Sequence, residues 1–401
     1  MAERKIVIIG AGPTGLGAGW RLNELGYEDW VILEADDHVG GLATSFTDEA
    51  GFTYDIGGHV MFSHYRYYDE IVEKLMGDDY TELQREAWVW MEDRFIPYPF
   101  QNNIRDLEPQ TVFDCVNGLI KAQLQQHEPP TNFKEWVDQL MGAGIAEHFM
   151  IPYNFKVWAT PAELMNYVWI GERVSVVDSE SILRNVILGE DQVSWGPNNT
   201  FRYPLKGGTG FLYEGMRERV EDHLELETPV VSIDPVAKVV TTADGRTWPY
   251  DVLLNTMPLN KLIAQMESVP DEVRTAIDGL HWSGSHIVGV GVDRPAASTK
   301  NWIYFPEPKS PFYRVTYLSN YSPYMTPGPD QTLFLTETSW SNHKPEDPDT
   351  IVDRVVDGLI ATGLMTEDDR GRILSTWLCS PSMSYPVPTV PRDESLGTIQ
   401  P

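Results

Sequence analysis

Gly10, Gly12 and Gly15 stand at G-x-G-x-x-G spacing in KIVIIGAGPTGLGAGWRLNELG, directly after the β-branched run Ile6 to Ile9. A strand, a glycine turn and a helix in that order suit a dinucleotide. Gly10 makes the turn, Gly12 admits a pyrophosphate, and Gly15 lets the helix lie close to the strand. The helix N-terminus then offers unpaired N–H groups to phosphate oxygens. Gly26 ends the helix, and WVILEAD reads as a second strand closing on Glu34, placed to accept from a ribose hydroxyl. A glycine-rich βα turn with no ligand is the plainer alternative, and it gives Glu34 no reason to be there.

A second pair, Gly40-Gly41, follows Glu34 at a distance similar to that in amine-oxidase-like FAD proteins. YDIGGHVMFSHY then places Gly57 and Gly58 directly before His59. In such proteins this stretch runs up to the isoalloxazine, so the backbone at Gly57 and Gly58 is expected against the ring with His59 at its edge. Taken alone, His59 reads better as a satisfied core histidine, and only this context favours the flavin.

Two aromatic clusters carry amides. IPYPFQNNI brings Tyr98, Phe100 and Gln101, and FMIPYNFKVWATP, which begins at Phe149 and Met150, brings Tyr153, Asn154, Phe155 and Trp158. Aromatic faces beside amide groups suit a nucleobase, although in an arbitrary sequence such clusters are more often core. Arg173 in WIGERV and Arg314 in FYRVTYLSNYSPY are candidate phosphate holders, because the guanidinium fork matches phosphate oxygens. The alternative for each is an arginine paired with a carboxylate. Tyr304, Tyr321 and Tyr385 could add phenolic donors.

These residues sit in a chain of 401 residues with 59 Asp and Glu against 30 Lys and Arg, a formal net charge of −29. Such acidity disfavours nucleic acid and anionic membrane as partners. It also means that an anionic substrate needs local, desolvated cations. Cys115 and Cys379 are far apart and form no CxxC, so neither a disulfide framework nor a zinc site is expected, and both read as buried thiols in a cytoplasmic protein. No metal-ligand cluster, nucleophile triad or phosphate-binding lysine loop is legible. If the protein is an enzyme, the chemistry belongs to the cofactor.

The motifs GAGPTGLGAGWRLN, YDIGGHVMFSHY, PYPFQNN, PYNFKVWATP, GERV, SWGPNNTFRYPLKGGTG, YFPEPKSPFYRVTYLSNYSPY and YPVPT occur in this order. Together they resemble the UDP-galactopyranose mutases of the eukaryotic type, within the amine-oxidase-like FAD superfamily. The resemblance implies isomerisation of UDP-galactopyranose and UDP-galactofuranose, with N5 of reduced FAD as the nucleophile on the anomeric carbon and NAD(P)H as reductant. It implies Pro13, Thr14, Leu42, Ala43 and Val230 on the cofactor, beside Gly10, Gly12, Gly15, Glu34, Gly41, Gly57, Gly58 and His59. It implies Tyr98, Gln101, Phe149, Met150, Asn154 and Trp158 around the uridine. Arg173, Arg314, Tyr304, Tyr321 and Tyr385 would hold the diphosphate, and Asn198 would face the substrate. His59, Arg173 and Arg314 are its catalytic candidates. The family continues past YPVPT into a segment that completes the FAD domain, and this sequence ends at Pro401 without it. An amine-oxidase-like or desaturase-like oxidoreductase and an inactive FAD- or nucleotide-binding fragment are the rival readings.

The elements that must position these residues give an α/β fold. A discontinuous Rossmann-like FAD domain is expected from 2–66 and 204–278, and a mixed or antiparallel sheet domain from 78–104 and 279–345. A helical insert is expected over 105–195. A helix and an incomplete return to the FAD domain fill 346–401. TADG is a hairpin signal, and the apolar runs from SHIVGVGVDR to TLFLTETSW alternate as antiparallel strands.

Overall fold

The computed structural model describes residues 4–171, 174–192 and 199–400. The first strand, Ile6–Ile9, lies between Trp30–Leu33 and Val252–Asn255 in a parallel sheet, and the short strand Leu224–Glu225 adds to its Trp30 side. Side chains alternate across this sheet as the pleat requires. Ile8 and Ile32 pack with Leu16, Trp20, Met216 and Val220 from the helices Pro13–Glu24 and Gly210–Val220. Val7, Ile9, Val31 and Leu33 pack on the other side with Val230, Ile233 and Val240. Those last three belong to an antiparallel sheet, Val230–Asp234, Val239–Thr242 and Thr247–Pro249, in which the TADG stretch forms the turn.

The larger sheet is built around the 12-residue strand His281–Val292. Ile373–Cys379 and Thr332–Trp340 flank it, followed by Arg314–Tyr317, Trp302–Tyr304, Ala87–Met91 and Arg94–Pro97. Tyr385–Val387 pairs with its first residues. Among these pairings only Trp302–Tyr304 with Ala87–Val89 is parallel, and it joins a stretch before the helices to one far after them. The flanking strand Ile373–Cys379 alternates in burial, so Cys379 is half-buried while Cys115 is buried. The expectation of two buried thiols holds for Cys115 alone, because Cys379 lies at the end of an edge strand and packs only partly against the core.

Register puts Ile287, Glu337, Arg314, Tyr304 and Val89 in one row across five strands. Above them stand the helices Pro109–Leu124, Phe133–Ile145, Ile151–Trp158 and Ser179–Leu188. A π-helical turn, Ala146–Met150, leads into Ile151–Trp158, with Pro152 at its start. Their common core includes Phe100, Phe133, Phe149, Met141 and Ile145, all buried. Each fully buried phenylalanine contributes about 1.5–3 kcal/mol of transfer free energy.

Candidate active site

The glycine turn has the shape a dinucleotide needs. A Cβ on Gly15 would lie 1.9 Å from the Gly10 carbonyl oxygen, so helix and strand approach as only glycine permits. A Cβ on Gly12 would meet nothing within 4 Å, which leaves open space beside the turn. Gly41 closes over it, since its own Cβ would come 3.4 Å from the Gly12 Cα. No side chain caps the Pro13–Glu24 helix, so its first N–H groups are left for a ligand, and Pro13 and Thr14 are exposed there. Glu34 stands at the end of the second strand, where Oε2 accepts from Ala11 N at 2.5 Å and Oε1 from Ala35 N and Asp36 N at 2.7 and 3.0 Å. These bonds fix the carboxylate while leaving lone pairs for a ribose. Leu42 is exposed and Ala43 half-buried in the short helical turn beside Gly41. Val230 is buried against the same sheet. An open cradle, a bare helix N-terminus and a pinned acid fit the nucleotide part of FAD.

The stretch after Thr53–Asp55 meets the larger sheet. Gly58 N–H donates to Glu337 Oε1 at 3.1 Å, and a Cβ on Gly58 would lie 2.8 Å from Thr316 Oγ1 and 3.7 Å from Arg314 Cζ. Gly57 adopts φ +93°, a conformation in which glycine is unstrained. Behind the glycines, the fully buried Asp55 accepts from Ser45 Oγ and Tyr203 Oη, both at 2.6 Å, and from Thr209 N at 3.1 Å. The loop is therefore held at both ends by buried carboxylates. His59 follows it, with its side chain exposed to solvent beside the charges of Asp55, Glu337 and Arg314. Desolvation lowers its pKa, and Arg314 acts the same way against Asp55 and Glu337, which favour the charged form. The imidazole is thus biased toward neutrality.

Arg314 is an ion-paired arginine. Its Nε and Nη2 donate to Glu337 Oε1 and Oε2 at 2.6 and 2.7 Å, and Tyr313 Oη adds a third bond to Oε2 at 2.6 Å. Burial alone would raise the Glu337 pKa, but the Arg314 charge and the donated hydrogen bonds outweigh it and hold it below the usual range. Two of the guanidinium's five N–H groups face Glu337, and three remain for a ligand.

Around Arg314 the aromatic clusters merge into one arc. Tyr304 meets Tyr98 at 5.2 Å and Tyr153 at 5.4 Å between ring centroids. Tyr153 stacks on Phe149, which stacks on Phe100. Trp158 meets Tyr385 edge-on at 5.7 Å. Burial raises the phenol pKa of Tyr98, Tyr153, Tyr304 and Tyr321, so all four stay protonated donors at neutral pH. Tyr321 is fully buried beside Tyr203 and Phe201, with its hydroxyl unpartnered. Gln101 and Asn154 are also buried, and each spends its amide N–H locally, on Ser175 O and on Met150 O. Phe149 and Met150 are buried in the helical core. Arg173 and Asn198 lie outside the described residues. Two hollows of about 310 and 290 Å³ flank Arg202, and neither is lined by Gly12, Glu34 or Arg314.

Sequence reasoning missed Glu337, Tyr313 and Asp55. The signal for both acids was a carboxylate inside an extended run otherwise made of apolar and hydroxyl side chains, TLFLTETSW and GFTYDIGG.

Residues 13–393 match the family model of the flavin containing amine oxidoreductases. The probable flavin-containing monoamine oxidase A of Dictyostelium discoideum is 22% identical over 63% of this chain, which spans 57% of that protein's length. A crystal structure of reduced UDP-galactopyranose mutase superposes with a TM-score of 0.97 at 41% identity, covering all of this chain and 86% of that one. A protein named putative protoporphyrinogen oxidase from Exiguobacterium sp. 255-15, at TM-score 0.72 and 17% identity over the whole chain, shares the fold. The chain belongs to the flavin-containing amine oxidoreductase family and, within it, to the UDP-galactopyranose mutases.

Proposed function

We propose that the protein interconverts UDP-galactopyranose and UDP-galactofuranose with FAD kept reduced by NAD(P)H. The observation that carries this reading is the placement of Arg314 against Gly58. It sets an anion-holding guanidinium beside the loop expected to border the flavin ring. The close likeness to the mutase structure supports it, and an amine-oxidase-like reading gives Arg314 no role.

FAD would be held by the turn around Gly12, the Pro13–Glu24 helix N-terminus and Glu34, with Leu42, Ala43 and Val230 alongside. When bound and reduced, it supplies the nucleophile, N5, for the sugar anomeric carbon. The remaining work falls to side chains. Tyr98, Gln101, Phe149, Met150, Asn154 and Trp158 enclose the uridine. Arg314, oriented by Glu337, turns its three remaining N–H groups on the diphosphate and holds it when the anomeric bond breaks, while Tyr304, Tyr321 and Tyr385 contribute phenolic hydrogen bonds. The ion pair with Glu337 leaves Arg314 little net charge, so a second cation is needed, and Arg173 is the candidate. Asn198 faces the sugar, and the neutral imidazole of His59 borders the ring. We place the cofactor unit at 2–66 and 204–278, the sheet unit at 78–104 and 279–345, and the insert at 105–195, in a cytoplasmic enzyme of galactofuranose metabolism.

The test is isomerisation of UDP-galactofuranose by the FAD-loaded chain before and after dithionite reduction. Turnover only when reduced is expected. Net oxidation of an added amine without isomerisation would replace this reading by an oxidase.

A further inference from the structure

Lys156 is a charged residue at the middle of the Ile151–Trp158 helix, and only 7% of it is exposed. Burying a charge is costly unless partners compensate, and leucine or methionine would fill such a position at lower cost. The partners are two backbone carbonyls. Nζ donates to Glu307 O at 2.9 Å and to Ser310 O at 3.0 Å.

What that turn connects gives these bonds their meaning. Residues 307–310 join the strand ending at Tyr304 to the strand beginning at Arg314. The turn is also pinned from the far side, where Glu92 N donates to Glu307 Oε1 at 3.2 Å and Lys309 pairs with Asp93 at 2.6 Å. Residues three apart share a helix face, so Tyr153 and Lys156 both look toward these strands, and the Tyr153 ring does meet Tyr304. Asn154 and Trp158 stand two positions either side of Lys156, on the opposite face. A second tie holds the helix end, where Ser341 Oγ donates to the Ala159 carbonyl. Ser341 lies just past the strand that carries Glu337.

We propose that Lys156 is a positioning residue for the nucleotide diphosphate, fixing the distance between the helix that receives the uridine and the Arg314 guanidinium that receives the phosphates. The inference rests on the function proposed above. A ligand that spans both ends feels that distance, while one that occupies a single end does not. The bonds from Lys156 therefore act on UDP as a whole and on neither uridine nor pyrophosphate alone.

The experiment uses the full, FAD-loaded chain and measures displacement of UDP, uridine and pyrophosphate from wild type, Lys156→Met and Ser341→Ala. Lys156→Met keeps the aliphatic stem and removes the donor. Its Kd for UDP is expected to rise about tenfold, equivalent to about 1.4 kcal/mol, while uridine and pyrophosphate shift less than twofold. KM for UDP-galactofuranose rises in step with the UDP Kd, and kcat falls less than threefold. Ser341→Ala shifts UDP the same way by a smaller factor. Equal losses for all three ligands, or no loss for UDP, would overturn the proposal. If Lys156→Met fails to retain flavin, Ser341→Ala decides, and an unchanged ratio of UDP to uridine affinity counts against it. Failure of the wild type to bind UDP at all strikes the functional reading itself and the inference with it.

Discussion

Glu337 takes hydrogen bonds from Arg314, Tyr313 and the Gly58 backbone, so one carboxylate fixes a guanidinium, a phenol and a loop. Removing one member of such a buried pair leaves the other charge uncompensated, at about 3–5 kcal/mol, whereas replacing both by apolar groups costs far less. Arg314→Met should therefore destabilise the protein more than the double variant Arg314→Met, Glu337→Met. Both should lose UDP affinity. Urea melts and UDP titrations separate the two effects, and a double variant that regained UDP binding would remove Arg314 from the site. Lys156 makes a second statement at this scale. Burial brings its pKa down to about 7, with Lys344 acting the same way and Glu346 and Glu307 against. An unfolded lysine titrates near 10.4, so between about pH 7 and 10 the unfolded chain holds a proton that the folded one lacks. Stability should rise with pH across that window, by up to about 1.4 kcal/mol per unit, and Lys156→Met should flatten the rise. Urea unfolding of both proteins at several pH values tests this. A parallel pair of curves would show that Lys156 keeps its proton.

At the level of elements, the strand–turn–helix unit makes opposite demands at two glycines three residues apart. Gly15→Ala drives a methyl into the Gly10 carbonyl and should lower the melting temperature sharply. Gly12→Ala meets no protein atom and should fold normally, yet it narrows the space for pyrophosphate and should give a flavin-poor protein. The ratio of 450 nm to 280 nm absorbance, read beside a thermal melt, checks the pair. Equal flavin content in Gly12→Ala and wild type would place the cofactor elsewhere. The contrast also marks what the sequence made legible. The glycine spacing, Glu34 and the alternating strands are local patterns, and each survives translation into structure because a neighbour along the chain determines it. Glu337 lies 23 residues beyond Arg314 and 279 beyond Gly58, and only sheet register brings the three together. The parallel pairing of Trp302–Tyr304 with Ala87–Val89 was hidden for the same reason. Lys156 sat in plain view in FKVW, but nothing local announces that its partners are carbonyls about 150 residues away.

Over the whole molecule, the net charge of −29 acts as a distributed load on the folded state. Self-repulsion among carboxylates is screened as the Debye length shrinks from about 30 Å at 0.01 M salt to about 8 Å at 0.15 M. The melting temperature should therefore climb by several degrees over that range, in sodium chloride and potassium chloride alike. Scanning fluorimetry would show it, and a flat profile would mean that local ion pairs already balance the charge. The order of strands in the parallel sheet bears on how the chain is made. Ile6–Ile9 pairs on one side with a strand only about 20 residues downstream, but its other side waits for Val252–Asn255. At roughly 5–20 residues per second, a ribosome delivers that partner on the order of ten to fifty seconds later. Until then the strand Ile6–Ile9 carries a hydrogen-bonding edge of four apolar residues with nothing to close it, and such an edge is open to pairing with another chain.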